Sequence, residues 1–220
     1  MTILWFALGG VVGWLLTLAA DVLPRFAQTL PPRRPAAWRP PGVLRWHRDR
    51  AALPDAAVEL ITALLFMLAG ALMPPAQALL VSAACAFFIL TALIDLRYRL
   101  ILNVTTYPAF VILALLHGVN GASALTSAVL GASFAFVIFY GTARLKPGQL
   151  GMGDVKLATV IGFGFGFPGV LFALLIGAGA GGVAAIAMLA SKHRATRTIP
   201  YAPFLCLGAL AVLFIPMLRL

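Results

Sequence analysis

Six acidic residues punctuate this chain, Asp21, Asp49, Asp55, Glu59, Asp95 and Asp154, and the last two stand where acids are hardest to accommodate. Asp95 closes the apolar stretch "AFFILTALI", and Asp154 opens another directly after Gly151-Met152-Gly153. Ionisable groups at a membrane boundary are costly and tend to be functional. Each also has a structural explanation. Asp95 can pair with Arg97 or Arg99, and Asp154 is a favourable charge at a helix start, with Lys156 in reach. What the two acids share is depth, because each ends a different apolar run on the same side. Two carboxyl groups at one depth can converge on a single water. Like-charge repulsion then leaves one proton on the pair, and the titration belongs to both residues together. The ionised member takes a proton from water as that water attacks an amide carbonyl, and the protonated member donates to the carbonyl oxygen. Gly151 and Gly153 suit such a site, since a backbone without side chains lets an extended peptide lie beside Asp154. Lys156 by itself reads as an interfacial anchor.

The remaining acids have simpler readings. Asp49 and Asp55 lie among arginines and pair with them. Glu59 falls in the first turn of the second apolar run, where the helix dipole favours a carboxylate. Asp21 lies a turn before the end of the first run, so that it could face Glu59. Cys85 and Cys206 lie in separate apolar runs. Two cysteines make neither a zinc set nor a disulfide framework, so no metal is expected.

The elements that must carry these residues follow from composition. The chain has 220 residues, 62% hydrophobic and 10% charged, whereas soluble domains carry about 25% charged residues. Lipid is therefore the solvent, and only helices or closed barrels satisfy the backbone there. Strand-like alternation is absent. Apolar runs near 3–22, 57–73, 78–94, 104–118, 123–141, 154–167, 169–190 and 201–218 predict an all-α polytopic membrane protein of about eight transmembrane helices. Phe167-Pro168-Gly169 divides the sixth from the seventh. Three parts result: a first helix over 1–22, a basic Pro/Arg-rich cytoplasmic loop over 23–56, and a seven-helix domain over 57–220.

Charge sets the orientation. With the amino terminus outside, the inner segments hold Arg25, Arg33, Arg34, Arg39, Arg45, Arg48 and Arg50, then Arg97 and Arg99, Arg144 and Lys146, and Lys192, Arg194 and Arg197. Lys156 marks the inner end of the sixth run, and of sixteen cations only Arg219 lies outside. This is the positive-inside asymmetry, so the net charge of +10 reports topology and not nucleic-acid binding. The first run has no cation before it and Arg25 after it, the reverse of a secretory signal, and reads as a retained helix. The segment 25–55 contains seven arginines and six prolines, which excludes a long helix and suits an extended linker. Trp38 and Trp46 suit the lipid headgroup layer, with His47 on the same solvated surface.

"GMGDVKL" (151–157), together with the aspartate of "IDLRYRLILN" (94–103), resembles the type IV prepilin peptidases, bacterial membrane aspartyl proteases of the glycine-any-glycine-aspartate class. The likeness extends to "GWLLTLAADVLP" (13–24), "LPDAAVELITALLF" (53–66) with Glu59 at the matching acid, and "IPYAPFLCLGAL" (199–210). It implies that Asp95 and Asp154 are a catalytic pair in the bacterial cytoplasmic (inner) membrane, with Gly151, Gly153 and Lys156 at the substrate side and Lys156 a candidate for positioning or for balancing charge near the pair. It also implies cleavage of prepilin or pseudopilin precursors at the cytoplasmic face, between a basic leader and the hydrophobic helix that follows. Many members carry two cysteine pairs in the first inner loop as a zinc site and methylate the new amino terminus with S-adenosylmethionine. No cysteine stands in this loop, Trp14 and Thr17 replace the usual serine and asparagine, Leu102 stands for a common proline, and Ala202 replaces a glycine. Proteolysis needs no cofactor. S-adenosylmethionine enters only if methyl transfer is retained. Two other classes compete: a proton-coupled transporter using the two acids as a relay, and a non-catalytic assembly protein of a pilus or secretion machine.

Overall fold

The computed structural model describes residues 1–27, 41–45, 53–145, 150–190 and 200–215. These form nine α-helices, and no strand occurs among the described residues: α1 (Thr2–Phe26), α2 (Gly42–Arg45), α3 (Leu53–Leu72), α4 (Pro75–Tyr98), α5 (Asn103–Val119), α6 (Ala122–Leu145), α7 (Met152–Phe165), α8 (Gly169–Ala190) and α9 (Ala202–Phe214). Each of the eight apolar runs is a helix, and α2 is one extra turn within the basic segment. Five helices, α1, α3, α4, α6 and α8, are long and apolar enough to cross a membrane. The other three apolar helices are shorter, with 17, 14 and 13 residues in α5, α7 and α9. At about 1.5 Å per residue, the 14 residues of α7 rise about 21 Å against a hydrocarbon core of about 30 Å. Trp38, Trp46, His47, Lys146, Lys192, Arg194, Arg197 and Arg219 lie outside the described residues.

Large apolar side chains face outward along these helices. Leu4, Leu115, Leu175 and Ile186 are each at least 65% exposed. A monomer with such a surface in water would carry an apolar patch far beyond the usual few hundred Å². In lipid it is the expected exterior, and the chain is a multi-pass membrane protein. The interior is built instead from small residues. Ala20, Ala69, Ala128, Ala135 and Ala209 are fully buried, as befits membrane helices that associate by close packing.

The chain divides into two compact units, Met1–Ile94 and Asp95–Leu220. In the first, α1 runs along α3 and α2 caps the start of α3. The cap is held by Glu59, buried to 3% exposure. One carboxylate oxygen accepts the Gly42 N–H at 2.6 Å and the other the Val43 N–H at 2.9 Å. These donors open α2, so Glu59 neutralises free N–H groups of another segment; it is not in the first turn of its own helix, because α3 begins six residues earlier at Leu53 and Asp55 is the acid there. Replacing Glu59 with Leu strands both donors. The expected cost is about 1–3 kcal/mol, read as a lower melting temperature in detergent, with Glu59→Gln falling between Leu and wild type.

In the second unit α6 lies along α7, and α8 along α9. The first pairing depends on Gly131 and Gly162, where a Cβ on either would collide with the other's backbone carbonyl. Helix α5 packs on α7 through Phe110, whose ring lies 4.5 Å from that of Phe163. The turn between α7 and α8 takes Gly166 at φ 66°, a left-handed conformation open to glycine. Ser127 of α6 fastens that turn, accepting the Phe167 N–H and donating to its carbonyl at 3.1 and 2.9 Å.

Candidate active site

Both boundary acids belong to the second unit, and three helix ends meet around them. Asp95 lies in the last turn of α4. The helix stops at Tyr98 because Arg99 adopts φ 55° and its N–H closes on the Asp95 carbonyl at 2.8 Å, a left-handed helix ending without the usual glycine. The Asp95 side chain is only 6% exposed. Its carboxylate accepts the backbone N–H of Ala202 and lies within electrostatic range of Arg99. Its Oδ2 is buried with no hydrogen-bond partner among the described residues.

The Ala202 donor is itself a product of local sequence. Helix α9 starts at Ala202, with Tyr201 as its N-cap and Pro203 in the first turn. The first N–H groups of a helix have no partner within it, and proline removes one of them at no cost. Ala202 keeps its donor and gives it to an acid 107 residues earlier in the sequence, where the positive end of the helix favours a carboxylate.

Asp154 is set differently. Gly151 is the N-cap of α7 in extended conformation, with φ −76° and ψ 148°. Asp154 is three residues into the helix, and its Oδ2 reaches back to accept the Gly151 N–H at 3.2 Å, one half of a capping box. The side chain is half-buried. Asp154 lies within electrostatic range of Asp95. The Tyr201 phenol is also within range of Asp154. Its ring sits 6.1 Å from that of Phe139 and against the backbone of Gly181.

The other predicted site residues fall into place unevenly. Gly151 is exposed, and a Cβ there would lie 3.3 Å from Asp154 Oδ2, leaving bare backbone beside the carboxylate. The room left by Gly153 is occupied, since a Cβ there would stand 3.0 Å from Ile101. Lys156 donates to Asn103 Oδ1 at 2.9 Å and lies 5.7 Å over the Tyr107 ring. Asn103, Tyr201 and Ala202 were not legible as site residues, because their contacts span tens of positions. Only the proline-framed "IPYAPF" hinted that a helix start was being shaped there.

Residues 82–186, from α4 to α8 and including both acids, match the type IV leader peptidase family. The chain carries a region of that family. Its similarity to curated leader peptidases extends beyond the matched domain. It is 30% identical over 169 residues to a prepilin leader peptidase/N-methyltransferase of Bacillus subtilis, across 74% of this chain and 66% of that protein. It is 32% identical over 170 residues to a type 4 prepilin-like proteins leader peptide-processing enzyme of Escherichia coli O78:H11, across 72% of this chain and 60% of the other. A prepilin leader peptidase/N-methyltransferase of Dickeya chrysanthemi is likewise 32% identical, across 71% and 60%. The chain thus spans 60–66% of the length of these leader peptidases. No solved structure matches it.

Proposed function

We propose that this chain removes the leader from prepilin-type precursors at the cytoplasmic face of the bacterial inner membrane, with Asp95 and Asp154 as the pair that activates water. The observation that carries this reading is the state of the two carboxylates. Each is anchored by one backbone N–H, Asp95 by Ala202 and Asp154 by Gly151, and Asp95 keeps a buried oxygen with no partner. A buried acceptor without a partner is rare and asks for an explanation. A water held for attack, or a proton shared with Asp154, supplies one. Water held between the acids gives up a proton to the ionised carboxylate, and its oxygen bonds to the scissile carbonyl carbon. The protonated carboxyl passes its proton to the carbonyl oxygen. Collapse of the tetrahedral centre then breaks the C–N bond, and the proton taken from water goes to the departing amine. The bare backbone at Gly151 gives an extended substrate room beside Asp154. A site at the end of α4 and the start of α7 lets the mature subunit's hydrophobic helix stay in lipid while its basic leader is cut away.

Methyl transfer is no part of the proposal. S-adenosylmethionine would need partners for its adenine, its ribose hydroxyls and its positive charge. The cavity of about 350 Å³ between α1, α2 and α3 is walled by apolar side chains such as Phe6, Val11, Val43 and Leu60. Its one acid, Glu59, is already engaged by Gly42 and Val43. That cavity does not fit the cofactor.

Purified full-length protein, incubated with a prepilin bearing a basic leader, is expected to yield the mature subunit and the free leader by mass spectrometry. An intact precursor, alongside proton flux across proteoliposomes, would favour the transporter instead.

A further inference from the structure

We infer that Lys156 and Asn103 form a latch that sets the spacing of the two acids, so that Lys156 is a positioning residue and not a contact for substrate. The inference rests on the reading above of Asp95 and Asp154 as the reacting pair. Asn103 is the first residue of α5, eight positions after Asp95, and Lys156 is the fifth residue of α7, two positions after Asp154. Their side chains meet at 2.9 Å. Tyr107, one turn along α5, places its ring under the same ammonium, a contact that adds attraction and narrows the angles the lysine can take. A second stitch lies alongside, where Ile101 fills the space above Gly153.

The two short segments that carry the acids, 95–107 and 151–156, are therefore joined at two points. The route between Asp95 and Asn103 is stiff as well. It passes through left-handed Arg99 and through Leu102, which is 3% exposed and begins α5 with its carbonyl accepting from Thr105 and Thr106. Tension at Asn103 is thus transmitted to the end of α4. A lysine whose ammonium is fixed between an amide oxygen and an aromatic face has little freedom to reach a passing peptide. Placement of reacting groups is worth far more than the bond that secures it, since an error of about 1 Å can cost about a hundredfold in rate.

The test has two arms on the full-length protein. In the first, leader removal is followed for Lys156→Met, Asn103→Leu, the double variant, and Lys156→Arg, which keeps a donor. The latch predicts kcat lowered about tenfold in both single variants with KM within about twofold. The double variant should be no worse than either single one, as expected for residues acting through one contact, and Lys156→Arg should recover most of the loss. A raised KM in Lys156→Met with Asn103→Leu silent overturns the inference in favour of direct substrate contact. In the second arm, Asp95→Cys/Asp154→Cys is built with Cys85 and Cys206 replaced by Ala, and a short bis-maleimide bridges the new pair by adding one thiol to each end. Bridging should slow several-fold when Asn103→Leu is added, and an unchanged rate overturns the latch alone. Failure to bridge with the latch intact removes both the latch and the acid pair. Normal, latch-dependent bridging in a protein whose unaltered form cuts no prepilin removes the proposed activity and upholds the positioning.

Discussion

Asp95→Asn and Asp154→Asn should each reduce leader removal by about three orders of magnitude or more, while the protein still inserts, purifies and melts normally. The magnitude follows from the tasks assigned to the pair. Proton transfer by a placed group is worth about 10²–10⁴-fold, and a pair acting as one unit loses nearly everything when either member is lost. Asparagine keeps shape and volume but neither takes a proton from water nor gives one to a carbonyl oxygen. Folding should survive because each anchor remains available. The Ala202 and Gly151 N–H groups still find an amide oxygen in place of the carboxylate oxygen they now hold. The Asn variants should also fail for the same reason, so the double variant should be no slower than either single one. A wild-type rate in either variant would mean that the cut is made elsewhere.

The second large effect is expected far from the acids. Gly162→Leu places a side chain where the Gly131 carbonyl now lies, and α6 and α7 must separate to admit it. Overpacking of this kind costs about 1–3 kcal/mol, or a fall of roughly 2–12 °C in melting temperature for a chain of this size. Activity should fall further than stability, because α7 carries Asp154 at its start and a helix displaced at Gly162 moves both. Gly182→Ala is the matched control, with nothing within 4 Å of the added methyl. It should melt at or slightly above the wild-type temperature, since alanine is the better helix former. Thermal melting and leader removal measured on the same two preparations separate the packing effect from general intolerance of substitution.

The helices were legible because lipid simplifies the problem. Each of the eight apolar runs became a helix, and even the break at Phe167-Pro168-Gly169 appeared as the turn between α7 and α8. Length was read less well. Helix α4 extends beyond its predicted span at both ends, from Pro75 to Tyr98, because polar residues continue a helix without adding hydropathy. Among the described residues, five of the helices are long and apolar enough to cross by length and composition. The acids stood out through their types and their places at the ends of apolar runs. Their supports were not. Composition and spacing cannot show that the N–H of Ala202 will meet Asp95, or that Lys156 will turn to Asn103, 53 residues away, and not to Asp154 two residues away. Glu59 shows the same limit: the dipole explanation at a helix start fails because α3 begins six residues earlier, at Leu53, and the residue instead spans 16 and 17 positions to hold Gly42 and Val43. Gly153 adds a case, since a Cβ there would meet Ile101, 52 residues away.

The most direct test is a structure of the protein with a prepilin peptide in which a hydroxyl-bearing isostere replaces the scissile amide, mimicking the tetrahedral centre that an enzyme binds more tightly than substrate. The account predicts that the hydroxyl lies within hydrogen-bond reach of both carboxylates, about 2.6–3.2 Å, with the buried Oδ2 of Asp95 among its partners and the peptide backbone running past Gly151. A hydroxyl bound to only one of the two acids, or a peptide seated away from both, would contradict it.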